Sequence, residues 1–400
     1  MTERVVHGID VGTTKIVALS GRVDDQRGLV EILAMGEAPS HGLKRGVVVD
    51  REAAADSVAE AMNSCGMGDV PVVVGLAGSH VSSFNTEVTL LNRSRNLAIT
   101  ERFVRKLEHE ARQVSIGEDD QVIHVVPRGY VLDGSEGVLS PVGLAARKVT
   151  MRAHVVTGAI SSIQNLLYVV EDCGARVSRV ALEPLASAEA CLGAADRDAG
   201  AVLIDVGGGT TDLAIFLNGG LVHTAVIPIG GQSFTSDVAY GLKLPYESAE
   251  KLKVRYGTVL SRIVDPVAAV GLNRRHYNAH FLSQILEYRG QEVFDYVSNS
   301  LAENNLTSKI SGDVVLTGGG ALLDGMTELA EDVLGAPART AAPAGIDGDF
   351  NVLRKPQYST SVGLLNFAAR QHKVKSKGEG ARATSFGSIV AAIRGWFRGV

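Results

Sequence analysis

The 400-residue sequence predicts an α/β protein of two lobes, with a small α+β subdomain inserted in the first lobe and a flexible linker and amphipathic helix at the C-terminus. Three observations predict it. The chain is too long for one ordinary core, so at least two lobes sharing an interface are expected. Two stretches, HGIDVGTTKIVALS (7–20) and VLIDVGGGTTDLAIF (202–216), repeat one order: apolar strand, Asp, Val, Gly-rich turn with Thr, second strand. Around them strand and helix patterns alternate, as in layered α/β lobes.

In chain order, residues 1–78 read as the first part of lobe 1: the first hairpin, the alanine-rich helix REAAADSVAEAMNSC (51–65) and the buried strand VPVVVGLAG (70–78). The rhythm breaks over 79–152, where strand-like FNTEVTLLN and QVIHVVPRGYVL flank the charged helix TERFVRKLEHEARQV; this is the expected insert. Lobe 1 resumes over 153–198 with a helix near 159–172, the strand RVSRVALEP (176–184) and the helix LASAEACL (185–192). Lobe 2 is expected over 199–240 and 281–370, interrupted at 241–280 by a second, mostly helical insert. Residues 371–384, QHKVKSKGEGARAT, lack periodicity and read as a basic linker ahead of an amphipathic helix over 385–400.

Composition narrows the function. The cysteines Cys65, Cys173 and Cys191 are far apart and odd in number, which disfavours a disulfide framework or a zinc site and fits a reduced cytoplasm. No apolar run reaches the roughly 18–20 residues of a spanning helix, and the N-terminus runs straight into a strand pattern, so no signal peptide is expected. The net charge of −5 is segregated: Arg370, Lys373, Lys375, Lys377, Arg382, Arg394 and Arg398 face only Glu379 in the last stretch, which leaves an acidic body. An acidic body argues against nucleic acid, and a basic tail suggests an anionic surface.

Glycines in a turn let backbone N–H groups approach an anion, and threonine hydroxyls add donors. Asp10 and Asp205, just before the two turns, can hold Mg²⁺ through water, and Lys15 can reach a phosphate oxygen. One Gly-rich hairpin alone is simply a tight turn; two with the same Asp-Val-Gly order point to a shared phosphate site. A third loop, LTGGGALLDG (316–325), places glycines between a strand and a helix, where a flat ligand can lie against backbone. There is no Gly-Lys-Ser/Thr and no G-x-G-x-x-G after the first strand, so neither a P-loop NTPase nor a Rossmann dehydrogenase fits.

The set GIDVGTTK, LIDVGGGTTDLAIF and VVLTGGGALLDGM resembles the signature of the actin/Hsp70/sugar-kinase ATPase superfamily. Within it the chain is most similar to the bacterial FtsA family of cell-division proteins, with further support from ALEPLASAEACL, ESAEKLKVRYG, STSVGLL and the amphipathic tail. The resemblance implies an actin-like (ribonuclease H-like) two-lobed ATPase fold that binds ATP and Mg²⁺. It matches Asp10, Gly12, Thr13, Thr14 and Lys15 to the first phosphate loop, and Asp205 with Gly207, Gly208, Gly209, Thr210 and Thr211 to the second. It matches Gly318, Gly319, Gly320 and Ala321 to the adenosine loop, Glu250 and Lys253 to ribose contacts, and Gly230 and Gly231 to a glycine pair near the nucleotide. Glu183 falls where related filament ATPases keep a residue that orients the attacking water; a Glu bonding locally before Pro184 would look the same.

No pocket for an acceptor substrate stands out, which favours a nucleotide switch with at most slow ATP hydrolysis over a small-molecule kinase. A membrane-associated pilus-assembly scaffold of the same superfamily shares the loops and remains an alternative. By resemblance the partners are the tubulin-like division protein FtsZ, further copies of the chain in an actin-like polymer, and other division proteins through the 79–152 insert. The site of action implied is the cytoplasmic face of the cell membrane at the division site. Lys243, Lys251, Lys253, Arg255, Arg262, Arg274 and Arg275 could receive an acidic peptide, or form an ordinary solvated basic face.

The tail carries its own argument. On a helical wheel Phe386, Ile389, Val390, Ile393, Phe397 and Val400 form one apolar stripe about 100° wide, with Trp396 on one edge and Arg394 and Arg398 beyond the other. Such a helix could dock in a groove of the body, bind a partner, or lie in a bilayer interface with Trp at headgroup level. The basic linker favours anionic inner-membrane lipid, and at about 22 Å the helix is too short to span a bilayer.

Overall fold

The computed structural model describes residues 4–24, 26–272, 275–310 and 312–376, the last six as backbone. Strands β1 (Val5–Val11), β2 (Lys15–Asp24) and β3 (Leu29–Pro39) form an antiparallel meander, followed by a small hairpin of β4 (Leu43–Lys44) and β5 (Val47–Val48). Helix α1 (Arg51–Cys65) starts where Asp50 accepts a bond from the Ala53 amide and stops at Gly66, and it buries Ala54, Val58, Ala61 and Met62. Strand β6 (Pro71–Leu76) then returns parallel to β1.

From there the chain enters the insert: β7 (Val81–Leu91), α2 (Glu101–Ala111), β8 (Asp120–Leu132), β9 (Ser135–Val138) and β10 (Lys148–Ala159), a sheet ordered β7-β10-β8-β9. It comes back through α3 (Ile160–Asp172), β11 (Arg176–Leu182), α4 (Glu183–Cys191) and α5 (Ala194–Ala199). The second lobe holds β12 (Val202–Val206), β13 (Thr211–Leu217), β14 (Gly220–Ile227), α6 (Gly231–Gly241), α7 (Tyr246–Tyr256), the hairpin β15 (Ala269–Leu272) and β16 (Arg275–Asn278), and α8 (Ala279–Glu303). It ends with β17 (Val314–Thr317), α9 (Met326–Leu334) and β18 (Ala338–Thr340). Strand β19 (Ile346–Asp347) and helix α10 (Ser359–Ser376) complete the described chain.

The two lobes are copies in topology. One sheet runs β11-β6-β1-β2-β3, extended by β19, and the other β18-β17-β12-β13-β14. In each, an antiparallel meander comes first and two parallel strands are added through helical crossovers on the side of its first strand. The central strands are buried on both faces, which explains their continuous apolar runs. Aliphatic cores lie on both sides of each sheet, and one of them, with Ala188, Leu192, Leu203, Ala214 and Val315, joins α4 of lobe 1 to the sheet of lobe 2.

Four sequence expectations are corrected. The 152/153 boundary falls inside β10, a single strand that pairs with β8 as far as Ala159. Residues 241–280 hold one helix, a 3₁₀ turn at Ser261–Ile263 and a hairpin, so they are mixed rather than mostly helical. The stretch from 346 to 370 belongs to lobe 1: β19 pairs with β3, and α10 buries Val362, Leu364, Leu365 and Ala368 in a core shared with β1, β2 and α4. Gly363 permits this packing, since a Cβ there would stand 1.8 Å from the Ala186 carbonyl oxygen of α4. Helix α10 also runs six residues into the expected linker, because extending a formed helix costs little once a packed turn has nucleated it.

Among the described residues no helix is long and apolar enough to cross a membrane. The linker from 377, the tail helix over 385–400 with Phe386, Ile389, Val390, Ile393, Arg394, Trp396, Phe397, Arg398 and Val400, and Arg274 lie outside them.

Candidate functional site

The two repeated hairpins have turns of equal length. Val11 pairs with Ile16 around Gly12–Lys15, and Val206 pairs with Thr211 around Gly207–Thr210. The lobes bring the turns tip to tip. A Cβ on Gly208 would stand 2.3 Å from Thr14 Cγ2, and one on Gly209 2.6 Å from Thr13 Oγ1, so a larger residue at either place must displace the threonine facing it. Beneath the turns lies a cavity of about 840 Å³ lined by both turns, Gly318–Gly320, Gly231, Glu250, Lys253 and the acids Asp10, Glu183, Asp205 and Asp212.

The four acids arrive from different elements: Asp10 from the end of β1, Asp205 from β12, Asp212 from β13, and Glu183 from the first position of α4. Asp205 and Asp212 are direct cross-strand partners and so share a face. Helix α10 holds two of the acids from its first turn. Ser361 Oγ donates to Asp10 at 2.6 Å, and Thr360 Oγ1 donates to Asp205 at 3.1 Å, with Ser187 Oγ on the same oxygen at 2.5 Å. Asp212 Oδ1 is buried without a hydrogen-bond partner.

Crowding and burial make the cluster reluctant to ionise. Burial raises Asp10 to about 6; the Ser361 bond and the Lys15 charge pull it back, while the Asp205 charge pushes it up. Glu183 and Asp212 are pushed well above the usual carboxylate range, first by burial and then by the neighbouring acids. Burial also raises Asp205 against the pull of its two hydroxyl donors. Lys15 lies 3.3 Å over the Tyr358 ring and 3.8 Å from Glu37, and Tyr358 donates to Glu37 at 2.8 Å. Burial lowers the Lys15 ammonium, against the support of Glu37 and Asp10.

These features fit a polyphosphate carried with a hard divalent cation. A cation beside four oxygen acids relieves the repulsion that raises them, and hard cations take oxygen donors. Among the described residues no three His, Cys, Asp or Glu side chains are close enough together to grip a metal directly.

On the opposite wall, Lys253 Nζ donates to Thr235 Oγ1 at 2.8 Å and to the Gly231 carbonyl at 3.0 Å, and pairs with Glu250 at 2.8 Å; Thr235 also bonds Glu250. The Gly231 and Gln232 amides at the start of α6 donate to the Gly207 and Gly208 carbonyls, so this helix end seats the second turn. Gly319 precedes a 3₁₀ turn over Gly320–Leu322, and α9 begins only at Met326, so the helix start at these glycines is a single 3₁₀ turn rather than an α-helix.

Of the sequence-named residues, Asp10, Gly12, Thr13, Thr14, Lys15, Glu183, Asp205, Gly207–Thr210, Gly231, Glu250, Lys253 and Gly318–Gly320 line this one cavity. Three do not. Thr211 is buried with its hydroxyl on the Ile229 carbonyl, Gly230 packs behind the second turn, and Ala321 sits in the lobe 2 core. Sequence reasoning missed Asp212, Glu37, Tyr358, Ser187, Thr360 and Ser361. Asp212 stood inside the quoted second motif, and counting across the turn from Asp205 would have found it.

Comparison with known proteins agrees with this architecture. The family model described as cell division protein FtsA matches residues 202–363, and a model of the SHS2 domain inserted in FtsA matches 78–157. Cell division protein FtsA of Pseudomonas aeruginosa is 37% identical over 92% of this chain and 90% of its own. That of Escherichia coli K12 is 32% identical over 99% and 98%. Among solved structures, the PilM–PilN type IV pilus biogenesis complex aligns with TM-score 0.66 at 16% identity, covering 91% of this chain and 98% of the other. MreB5 of Spiroplasma citri bound to ADP aligns with TM-score 0.57 at 16% identity, covering 94% and 99%. These distant likenesses show the actin-like fold.

Proposed function

The chain belongs to the FtsA family of cell-division proteins, and on that premise we propose that it binds ATP and Mg²⁺ between its lobes, polymerises in that state on the inner face of the cytoplasmic membrane, and tethers FtsZ there through its C-terminal helix. The observation that carries the nucleotide part is the meeting of the two Gly-Thr turns over one cavity, each turn preceded by a buried aspartate. ATP with Mg²⁺ supplies a triphosphate whose terminal group can be lost to water. Asp10 and Asp205 hold the cation's water shell, fixed in place by Ser361, Thr360 and Ser187. Backbone amides of the two turns, other than that of Gly207, which already donates to the Thr210 carbonyl, would take the phosphates, and Lys15, now against Tyr358 and Glu37, would supply the cation. Gly318–Gly320 accommodate the adenine, and Glu250 and Lys253 the ribose. Glu183, whose carboxyl is pushed well above the usual carboxylate range by burial and then by the neighbouring acids, would orient water.

Because the turns touch, a ligand bound to both fixes the angle between the lobes, and a fixed angle is what a repeating polymer contact requires. A short interfacial helix holds a membrane only modestly, whereas a polymer multiplies that hold without new contacts. The exposed Lys243, Lys251 and Arg275 offer a surface for an acidic FtsZ segment, Lys253 being turned into the cavity, and the 79–152 insert offers one for other division proteins. Sedimentation of wild type and Asp205→Ala with ATP and Mg²⁺ tests the nucleotide link: wild type pellets as polymer and the variant stays in solution. Equal assembly of the two overturns it.

A further inference from the structure

The inserted subdomain does not hang from lobe 1 alone. One face of its sheet lies across the seam between the lobes, and two buried histidines mark the crossing. In the β8–β10 register His124 pairs with Val156 and Val126 with His154, so His124, Val126 and His154 share a face.

Each of the three touches a different part of the body. His124 Nε2 accepts the Leu182 amide at 3.1 Å, and its ring meets Phe367 of α10 edge-on at 6.2 Å. Leu182 immediately precedes Glu183, and its amide has no helical partner because α4 begins after it. Val126 packs into the core that joins α4 to the lobe 2 sheet. His154, fully buried, sets Nδ1 2.8 Å from Asn85 Oδ1 and Nε2 2.9 Å from Thr224 Oγ1 on β14 of lobe 2.

The lobe 2 attachment is a polar zipper. Asn85 Nδ2 donates to the Val222 carbonyl at 3.1 Å, and Ser83 Oγ to the Thr224 carbonyl at 2.9 Å. At Gly220 a Cβ would stand 2.8 Å from the Arg128 carbonyl oxygen, so the backbones of β8 and β14 are nearly in contact. The Leu182 amide requires His124 neutral with its proton on Nδ1, and burial keeps His154 neutral, its pKa lowered to about 3, so with Nδ1 donating to Asn85 its Nε2 accepts from the Thr224 hydroxyl. A packed sheet bonded to both lobes cannot follow one without pulling on the other.

We propose that the inserted subdomain is a strap across the two lobes, and that His124 is the positioning residue through which it holds the start of α4 and hence Glu183. The link to ATP rests on the nucleotide reading above; the strap itself does not. Rotation of lobe 2 about the seam moves β14, then β7 and β10, then β8, and reaches Leu182 through His124. A ligand that closes the cavity therefore changes the pose of the insert, and a partner that grips the insert changes the pose of Glu183.

Amide hydrogen exchange on the full chain without nucleotide tests this, with α1 amides as the internal reference for any global loss of stability. His124→Leu is expected to speed exchange at Leu182 by about tenfold, the factor a lost hydrogen bond carries. His124→Gln, which keeps an acceptor at the Nε2 position, is expected to restore it. The decisive variant is Thr224→Val, which cuts the lobe 2 attachment far from α4 and is expected to speed exchange at Leu182 and Glu183 as well as in β14. Faster exchange in β14 with Leu182 unchanged overturns the strap, and so does equal exchange in His124→Leu and His124→Gln. Titrating wild type with a fluorescent ATP analogue separates the two ideas. Failure to bind sinks the nucleotide reading, while exchange in the ligand-free protein still decides the strap.

Discussion

Asp205 and Asp212 face each other across a four-residue turn, whereas in the first hairpin the residue opposite Asp10 is Val17. The lobes therefore share a frame but place their acids differently: lobe 2 carries Asp205 and Asp212 on its hairpin, whereas lobe 1 carries Asp10 on its hairpin and Glu183 on α4. Lys15 is the cavity's cation nearest them, and replacing it tests the phosphate cradle. Lys15→Ala should weaken binding of a fluorescent ATP analogue by tenfold or more, about 1.5–3 kcal/mol for a charged hydrogen bond, with melting little changed. His154 gives a pH signature. Its proton affinity falls from 6.5 to about 3 on folding, first because of burial and then because of His223 and Arg128. The unfolded chain thus takes up the proton first, so the histidine's contribution is complete above 6.5 and is lost as pH falls toward about 3. Denaturant melts of wild type and His154→Gln should differ most at pH 7.5 and converge as the pH falls through that window. The Gly-Thr turns were legible because Asp, Val, Gly and Thr recur in order. Asp212 was not, because comparing the two repeats sets it against a valine and hides it.

Helix α10 shows what local pattern cannot reveal. The spacing of Val362, Leu364, Leu365, Ala368 and Ala369 fits a buried helix, yet the preceding strands belong to lobe 2, and only long-range pairing of β19 with β3 brings the chain back to lobe 1. That return lets one helix turn bond Asp10 of one lobe and Asp205 of the other. Gly363→Ala should cost about 1–3 kcal/mol of stability by forcing α10 off α4, read from denaturant unfolding. It should also weaken ATP binding, because Thr360 and Ser361 move with the helix. Elsewhere the strong local signals held: α1 spans the 15 residues expected, with Asp50 and Gly66 as its caps. The 241–280 region escaped because β15 and β16, four residues each, are too short for period-two alternation to show.

At the scale of the whole molecule, cavity, strap and tail form one chain of effects. In the function proposed above, a ligand in the cavity sets the angle between the lobes, and that angle sets how copies stack. On the same proposal, stacking sets how many tails act on one membrane together, with the membrane contact assigned to Trp396 and its stripe, outside the described residues. The lone tryptophan should then matter only for lipid: Trp396→Glu should bind ATP and assemble as wild type does, yet stay off vesicles. The measurement that bears most directly on this account is co-sedimentation of the full chain with vesicles of anionic lipid, in ATP and in ADP, each with Mg²⁺. The account predicts that wild type pellets with vesicles far more in ATP than in ADP and that Trp396→Glu does so in neither. Equal pelleting of wild type and Trp396→Glu, in either nucleotide, would contradict it.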